Sequence, residues 1–288
     1  RSSGLPWVAD FRDPWTRRLS YAPPTPVHDR WQRGLERACL READRVVVTS
    51  EETRADFLAL DPALSPDRIR VITNGFDQED FARAEALDPE ALAWIPSGGI
   101  AILHAGQLNP ERPLAPFLAG FRQYFDGGGG REQDTRLWCV GGHYDRDREA
   151  VRRFGLQDRV VFAGNRPHLE SVAALGRARS LLLLEHDSDR GRLILPGKVF
   201  EYLRSRRPIL AIVPRDGAAH RLIRSLDAGV WADPKDPASV AEAIARVLAW
   251  GSNPVALAAL EIFERQSLAG RLAALLDEVA GPSGSVTA

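Results

Sequence analysis

Along this chain, short runs of β-branched and aliphatic residues alternate with longer stretches whose apolar positions recur at helical spacing. The short runs predict strands at 6–11, 45–49 and 69–73, and again at 100–105, 136–140, 159–163, 180–184, 208–213 and 229–232. Between them the longer pattern predicts helices at 26–43 and 51–60, then at about 113–125, 145–154, 168–177, 196–205, 217–226 and 237–250. Ser50 before Glu51-Glu52 reads as an N-cap with acidic residues in the first turn. Strands that alternate with helices of this length imply βαβ units and a parallel sheet covered on both faces. The runs 159–163 and 180–184 are almost wholly apolar, as strands buried on both faces should be. A last amphipathic stretch, 255–279, carries Leu257, Leu260, Phe263, Leu268, Leu272 and Leu276.

The two halves are unequal. Residues 99–253 hold six strands, enough for a full doubly wound domain, whereas 1–81 hold three and form a partial domain. The Ala-, Pro- and Asp-rich segment 82–98 reads as a linker and as the first site of limited proteolysis. The helical segment 254–280 is expected to cross back to the partial domain, because its apolar stripe needs a partner. The chain has no methionine and opens on Arg-Ser-Ser-Gly, so the expectation is a fragment or processed chain that binds its ligand through the second domain and turns it over poorly.

Composition narrows the chemistry. A net charge of −1 gives no global field toward nucleic acid or an anionic membrane. Cys39 and Cys139 are too few and too far apart for a disulfide framework or a zinc site. No apolar run approaches the roughly 20 residues that span a bilayer. A cytoplasmic location is the expectation, with peripheral contact at the inner membrane face as a further option. The six histidines show no ligand spacing, and no metal is expected. Asp187-Ser188-Asp189 has the Asp-x-Asp form of a metal site, but two carboxylates in a polar loop are usually solvated.

Of the 38 basic residues only Lys198 and Lys235 are lysines. Lys198 lies in "ILPGKVFEYL" (194–203), at an expected helix start. Pro196 suits that start, Gly197 permits close approach of a ligand, and the first-turn amides and helix dipole favour an anion. Glu201, one turn on, can accept hydrogen bonds from two ribose hydroxyls. The plain alternative is a solvated ion pair on an amphipathic helix. The polar segment 187–197 follows a strand of the sheet, at the end where open α/β folds bind ligands. A second strand ends in Gly106, with Arg112 six residues on; Arg112 can reach an anion or stay solvated. Asp10, Arg12 and Asp13 follow the first strand, as cleft-facing candidates or as an ion pair that caps the loop.

The order of these motifs resembles the GT-B retaining glycosyltransferases of family 4. The stretches are "ADRVVVTSEETRADFL…DRIRVITNGFDQEDF" (43–81), "ILHAGQLNPERP" (102–113), "RVVFAGNRPHLESVAALGRARSLLLL" (159–184), "LPGKVFEYLRSRRPILAIVPRDG" (195–217) and "AGVWADPKDPASVAEAIARVL" (228–248). The resemblance implies two Rossmann-like domains, the N-terminal one incomplete here, with a nucleoside diphosphate sugar in the cleft and no required metal or other cofactor. It assigns the ribose to Glu201, the diphosphate to Gly106, Arg112, Gly197 and Lys198, and the base region to Asn165 and Arg166. It makes Asp10, Arg12 and Asp13 the catalytic candidates on the acceptor side. Gln107 stands where a second basic residue is usual, and Leu193 where many members carry a glutamate that helps place the sugar. The glycine-rich loop that follows the family's first N-terminal strand has no counterpart in the chain.

The implied function is sugar transfer, with retention, from a nucleoside diphosphate sugar to a hydroxyl of a carbohydrate or lipid-linked acceptor, as in bacterial polysaccharide biosynthesis. Two rivals share the architecture or the ligand: a nucleotide-sugar 2-epimerase, which needs carboxylates and histidine for proton transfer at the sugar, and a non-catalytic donor-binding module.

Overall fold

The computed structural model describes residues 5–96, 98–108, 112–129, 135–251 and 255–281. Residues 109–111 of the predicted Gly106–Arg112 loop lie outside the described residues. Among the described residues, nine strands form two parallel sheets. The first has the order β1 (Val8–Phe11), β2 (Arg45–Val48), β3 (Ile69–Val71). The second is built from β4 (Ile100–Ala105), β5 (Leu137–Val140), β6 (Val160–Gly164), β7 (Ala178–Leu184), β8 (Ile209–Ile212) and β9 (Gly229–Ala232), in the order β6-β5-β4-β7-β8-β9. The order reverses between β4 and β7, which makes their carboxyl ends the switch point of the sheet.

In the first unit, α1 (Pro26–Glu42) starts with Thr25 as N-cap and Pro26 at its first position. The Ser50 hydroxyl caps α2 (Glu51–Leu60) by accepting from the Thr53 amide at 3.1 Å. Leu40, Val46, Val48 and Phe57 form the core between these helices and one face of the sheet.

The second sheet is covered on both faces, which explains its apolar strands. Along β7, Leu181 and Leu183 face one layer while Leu182 and Leu184 face the other. One layer is α4 (Ala115–Asp126), α5 (Asp145–Arg153) and α9 (Pro237–Ala249), which contribute Phe117, Phe121, Val151 and Val240. The other is α6 (His168–Arg177), α7 (Lys198–Ser205) and α8 (Ala218–Ser225), which contribute Leu175, Phe200, Tyr202 and Ile223. Gly120 lets α4 approach α9 closely, since a Cβ there would stand 2.3 Å from Val240 Cβ.

The segment expected to be a linker is part of this second core. Residues Gln78–Glu85 form a helix, α3, capped by Asp77, and a 3-10 turn spans Pro89–Leu92. Phe81, Ala84, Leu92 and Ile95 are each no more than 6% exposed and join the same apolar cluster as Phe200. The composition of 82–98 suggests solvent, and most of its described positions are exposed, but Ala84, Leu92 and Ile95 are spaced to dock on the core.

The C-terminal helix α10 (Arg265–Ala280) sets Leu268, Leu272 and Leu275 against Val8, Val47 and Ile72 of the first sheet. The chain reaches it by a short pairing with the first unit, in which Phe76 N–H donates to the Phe263 carbonyl at 3.1 Å and Arg265 N–H to the Phe76 carbonyl at 2.9 Å. Gly75 makes room, because a Cβ would lie 2.1 Å from the Phe263 carbonyl oxygen. No helix among the described residues is long and apolar enough to cross a membrane.

Candidate active site at the switch point

A crevice of about 460 Å³ opens at the carboxyl ends of β4, β5 and β6, beneath the first turns of α6 and α7. It gathers Gly106, Asn165, Arg166, Lys198 and Glu201, five of the residues singled out in the sequence, from segments spread over 95 positions. It also takes in Gln107, Gly141, Gly142, His168 and Ser171. The floor is possible because two glycines turn sharply there. Gly106 has φ +119° and Gly141 φ +127°, and a Cβ on Gly141 would lie 2.5 Å from the Gly106 carbonyl oxygen.

Lys198 is the first residue of α7. The turn before it closes through hydrogen bonds from Val199 N–H to the Pro196 carbonyl at 3.1 Å and from Phe200 N–H to the Gly197 carbonyl at 3.2 Å, so the helix proper begins two residues later than the sequence pattern suggested. The Lys198 ammonium lies directly over Gly106, where a Cβ would come within 2.6 Å of Nζ. It approaches His104 Nε2 at 3.4 Å. Burial, and next the Arg112 guanidinium, bring its pKa down from 10.5 to about 8, against the opposing pull of Glu185 and Glu201. Glu201 is half-buried, and among the described residues no hydrogen bond or ion pair engages its carboxylate. Burial pushes that carboxyl up, while the His168, Arg265 and Lys198 charges draw it down.

The outer wall is braced by the segment that looked like a linker. The Arg166 guanidinium sits 4.7 Å over the Trp94 ring, and Trp94 Nε1 donates to Glu170 at 3.0 Å. His168 Nε2 lies 3.1 Å from an Asp80 carboxylate oxygen. Gln107 donates to the Tyr144 hydroxyl at 3.3 Å.

Other predicted residues lie at or beyond the rim. Arg112 does not line the crevice; its Nε donates to the buried Glu185 carboxylate at 2.7 Å. It stays close enough to depress Lys198, so it contributes positive charge from behind. Gly197 is exposed just before α7 and is not part of the lining. Asp10, Arg12 and Asp13 are exposed at the end of β1, with Arg12 Nε donating to Asp10 at 3.0 Å, and none of the three lines the crevice. Thr49 holds that loop through the Arg12 carbonyl at 3.3 Å.

The long loop between β7 and α7 joins the two units. The hydroxyls of Ser50 and Thr53 donate to the Leu193 carbonyl at 3.0 and 3.3 Å, and Arg190 donates to the carbonyls of Arg18 and Tyr21, both at 3.2 Å. Asp187 of the same loop is paired with Lys235 at 2.7 Å, and the Ser188 hydroxyl accepts from the Gly191 amide at 3.1 Å. No group of three or more His, Cys, Asp and Glu suited to a metal occurs among the described residues. A second hollow of about 510 Å³ lies between α2, β3 and α10, but its charges pair among themselves, Arg54 with Glu51 and Arg70 with Glu278.

Residues 100–249, which contain the whole crevice, match the family model "Glycosyl transferases group 1", and residues 1–75 match "Glycosyl transferase 4-like domain". The chain belongs to the group 1 glycosyl transferases. As a member of that family it is 26% identical over 213 residues to the D-inositol 3-phosphate glycosyltransferase of Acidothermus cellulolyticus, covering 72% of this chain and 46% of that protein. It is 32% identical over 177 residues to the 2-deoxystreptamine N-acetyl-D-glucosaminyltransferase of Streptomyces fradiae, covering 58% of this chain and 40% of that protein. The chain therefore spans less than half the length of these curated relatives. Among solved structures, sucrose-phosphate synthase from Thermosynechococcus elongatus superposes with a TM-score of 0.70 at 21% identity, over 94% of this chain and 67% of that one. Anabaena HepE in complex with UDP and glucose superposes with a TM-score of 0.64 at 18% identity, over 94% and 71%. These neighbours share the GT-B arrangement of two Rossmann-like units seen here.

Proposed function

We propose that the chain carries the donor site of a retaining glycosyltransferase, which moves a sugar from a nucleoside diphosphate sugar to a hydroxyl of a carbohydrate or lipid-linked acceptor. One observation carries this reading: the Lys198 ammonium and the unengaged Glu201 carboxylate lie one helical turn apart in a single crevice at the switch point. A ribose diol needs an acceptor pair and a diphosphate needs a cation, and α7 presents both on one side. The departing diphosphate develops negative charge as the glycosidic bond breaks, and Lys198, with Arg112 behind it, stabilises that charge. The solved complexes of HepE with UDP and with UDP-glucose support a nucleotide-sugar donor. The named relatives all transfer glycosyl groups, which disfavours the epimerase reading. Incubation with uridine and guanosine diphosphate sugars and a panel of saccharide acceptors should give a glycoside and the free nucleoside diphosphate. An epimerised donor formed without acceptor would overturn the transferase reading, and donor binding with no product would leave a binding module.

The pKa of Lys198 gives the site a pH signature. A bound diphosphate favours the ammonium and draws its pKa back up, so binding takes up a proton above about pH 8. Diphosphate affinity should therefore fall as pH rises through 8 to 9, which calorimetry in buffers of different ionisation heat measures directly. The sign for folding is opposite. Between about 8 and 10.5 the unfolded chain holds the proton that the folded chain has lost, so this group's contribution to stability rises with pH.

A further inference from the structure

His104 sits on β4 inside an otherwise apolar run, is 0% exposed, and does not line the crevice. Its Nδ1 lies 2.9 Å from the Leu182 carbonyl oxygen. A carbonyl only accepts, so Nδ1 carries the hydrogen and donates it. A neutral imidazole then has its lone pair on Nε2, and the group that approaches Nε2, at 3.4 Å, is the Lys198 ammonium. Burial first, then the Lys198 and Arg112 cations, hold the ring well below its usual pKa, so it remains neutral beside the ammonium.

The backbone explains why a side chain is required here. The parallel pairing of β4 with β7 ends at Leu103↔Leu181. Past that point the strands part, and Ala105 N–H donates to the Tyr202 hydroxyl at 2.9 Å. The Leu182 carbonyl takes its bond from His104, and the single Tyr202 O–H is shared between the Ala105 carbonyl at 3.3 Å and the Leu182 carbonyl at 3.4 Å. Two side chains thus complete the ladder where the sheet opens, and one of them ends in a lone pair aimed at Lys198.

We propose that His104 is a positioning residue for the donor diphosphate: its Nε2 holds the Lys198 ammonium over Gly106, in the place where the leaving phosphates are met. This rests on the reading of Lys198 as the diphosphate group. The role is that of an oriented acceptor, since a hydrogen bond to a charged group fixes one of the three ammonium donors and lets the other two face the crevice. Lys198 is also surrounded by Arg112 from the segment before α4, Cys139 of β5, Glu185 at the end of β7 and Glu201 of α7 itself, so its protonation reports on all of these. Loss of the Nε2 acceptor leaves these four in place.

The test compares His104→Phe, which keeps the ring volume but has no acceptor, with His104→Gln, whose amide can donate to Leu182 and accept from Lys198. Affinities for UDP and GDP are measured by calorimetry, and for uridine and guanosine by ligand-observed NMR, across pH 6.5–9.5. His104→Phe should lose about tenfold in diphosphate affinity with nucleoside affinity unchanged. Its loss of affinity with rising pH should begin at lower pH than in the parent, because the ammonium has lost an acceptor, and His104→Gln should restore much of both. A folded His104→Phe with the parental diphosphate-to-nucleoside ratio and pH profile overturns the inference. If that variant does not fold, the imidazole ¹⁵N spectrum of the parent decides: an Nδ1–H ring whose Nε2 signal shifts on UDP or GDP binding supports it, and an Nε2–H ring or no shift overturns it. Lys198→Met is the control that separates the two readings. If it leaves the ratio unchanged, the diphosphate role of Lys198 fails and this inference with it; if it lowers the ratio while His104→Phe does not, only the role of His104 fails.

Discussion

Glu201→Ala should weaken nucleoside and nucleoside diphosphate binding alike, by about 2–3 kcal/mol for a carboxylate that accepts from two ribose hydroxyls. The size follows from the state of the free site. Among the described residues no hydrogen bond or ion pair engages the carboxylate, so the ligand need not break one to use it. Burial has already raised its pKa, which means that the ionised carboxylate is incompletely solvated before the ligand arrives. Two hydroxyl donors replace the missing water, and each contributes more than it would to an exposed carboxylate. Glu201→Gln keeps one good acceptor and should lose about half as much. Deoxyribose nucleotides should bind the parent more weakly and the Ala variant no differently from ribonucleotides. Calorimetry on the four combinations forms a cycle, and equal sensitivity to the 2′-hydroxyl in parent and variant would falsify the ribose assignment.

Lys198→Met should leave nucleoside binding intact and cost diphosphate binding on the order of 3 kcal/mol, which is more than a hundredfold. Methionine fills most of the space over Gly106, so the loss reports charge and not a cavity. The effect exceeds that of an ordinary surface lysine because Nζ lies in a half-buried position where Coulomb interactions are less screened. Removing this cation also relieves its repulsion with Arg112, so the free variant should be no less stable than the parent in thermal melts at pH 7. A variant that loses nucleoside and diphosphate affinity equally would show that Lys198 acts on the fold of α7.

Much of this site was legible because its residues sit where chain direction alone places them. Gly106, Asn165 and Arg166 follow the parallel strands β4 and β6, and Lys198 and Glu201 open a helix after β7, so a sheet of parallel strands must bring them to one edge. What escaped notice depended on distant partners. Arg112 looked like a free cation, and its bond to Glu185 spans 73 positions. His168 and Ser171 line the crevice only because α6 packs beside α7, which no local pattern specifies. His104 sits in an apolar run and reads as core; its use depends on the parting of β4 from β7.

Composition alone reads 82–98 as a linker, while its apolar spacing places Ala84, Leu92 and Ile95 in the second core. The Asp77 cap, the acidic residues Glu79 and Asp80 and the spacing of Phe81 with Ala84 were sufficient signs of a helix. Through Trp94 this region holds Arg166, and Asp80 just before it approaches His168, so the two together brace the site. Of the two readings open for the charged residues at the end of β1, the ion pair is present, with Arg12 and Asp10 satisfying each other at the surface.

The scarcity of lysine has a practical chemical consequence. Reagents that acylate or reductively alkylate amines have two side-chain targets in this chain, and both touch the loop between β7 and α7: Lys235 through its pair with Asp187, and Lys198 as the residue that follows the loop. They differ in character. Lys235 is 80% exposed and its pairing with Asp187 raises its pKa, so it is accessible but well protonated; Lys198, at about 8, offers a free amine near neutrality from inside a crevice. Amine modification is thereby a nearly site-addressed chemistry on this scaffold, with nucleophilicity favouring one lysine and access the other.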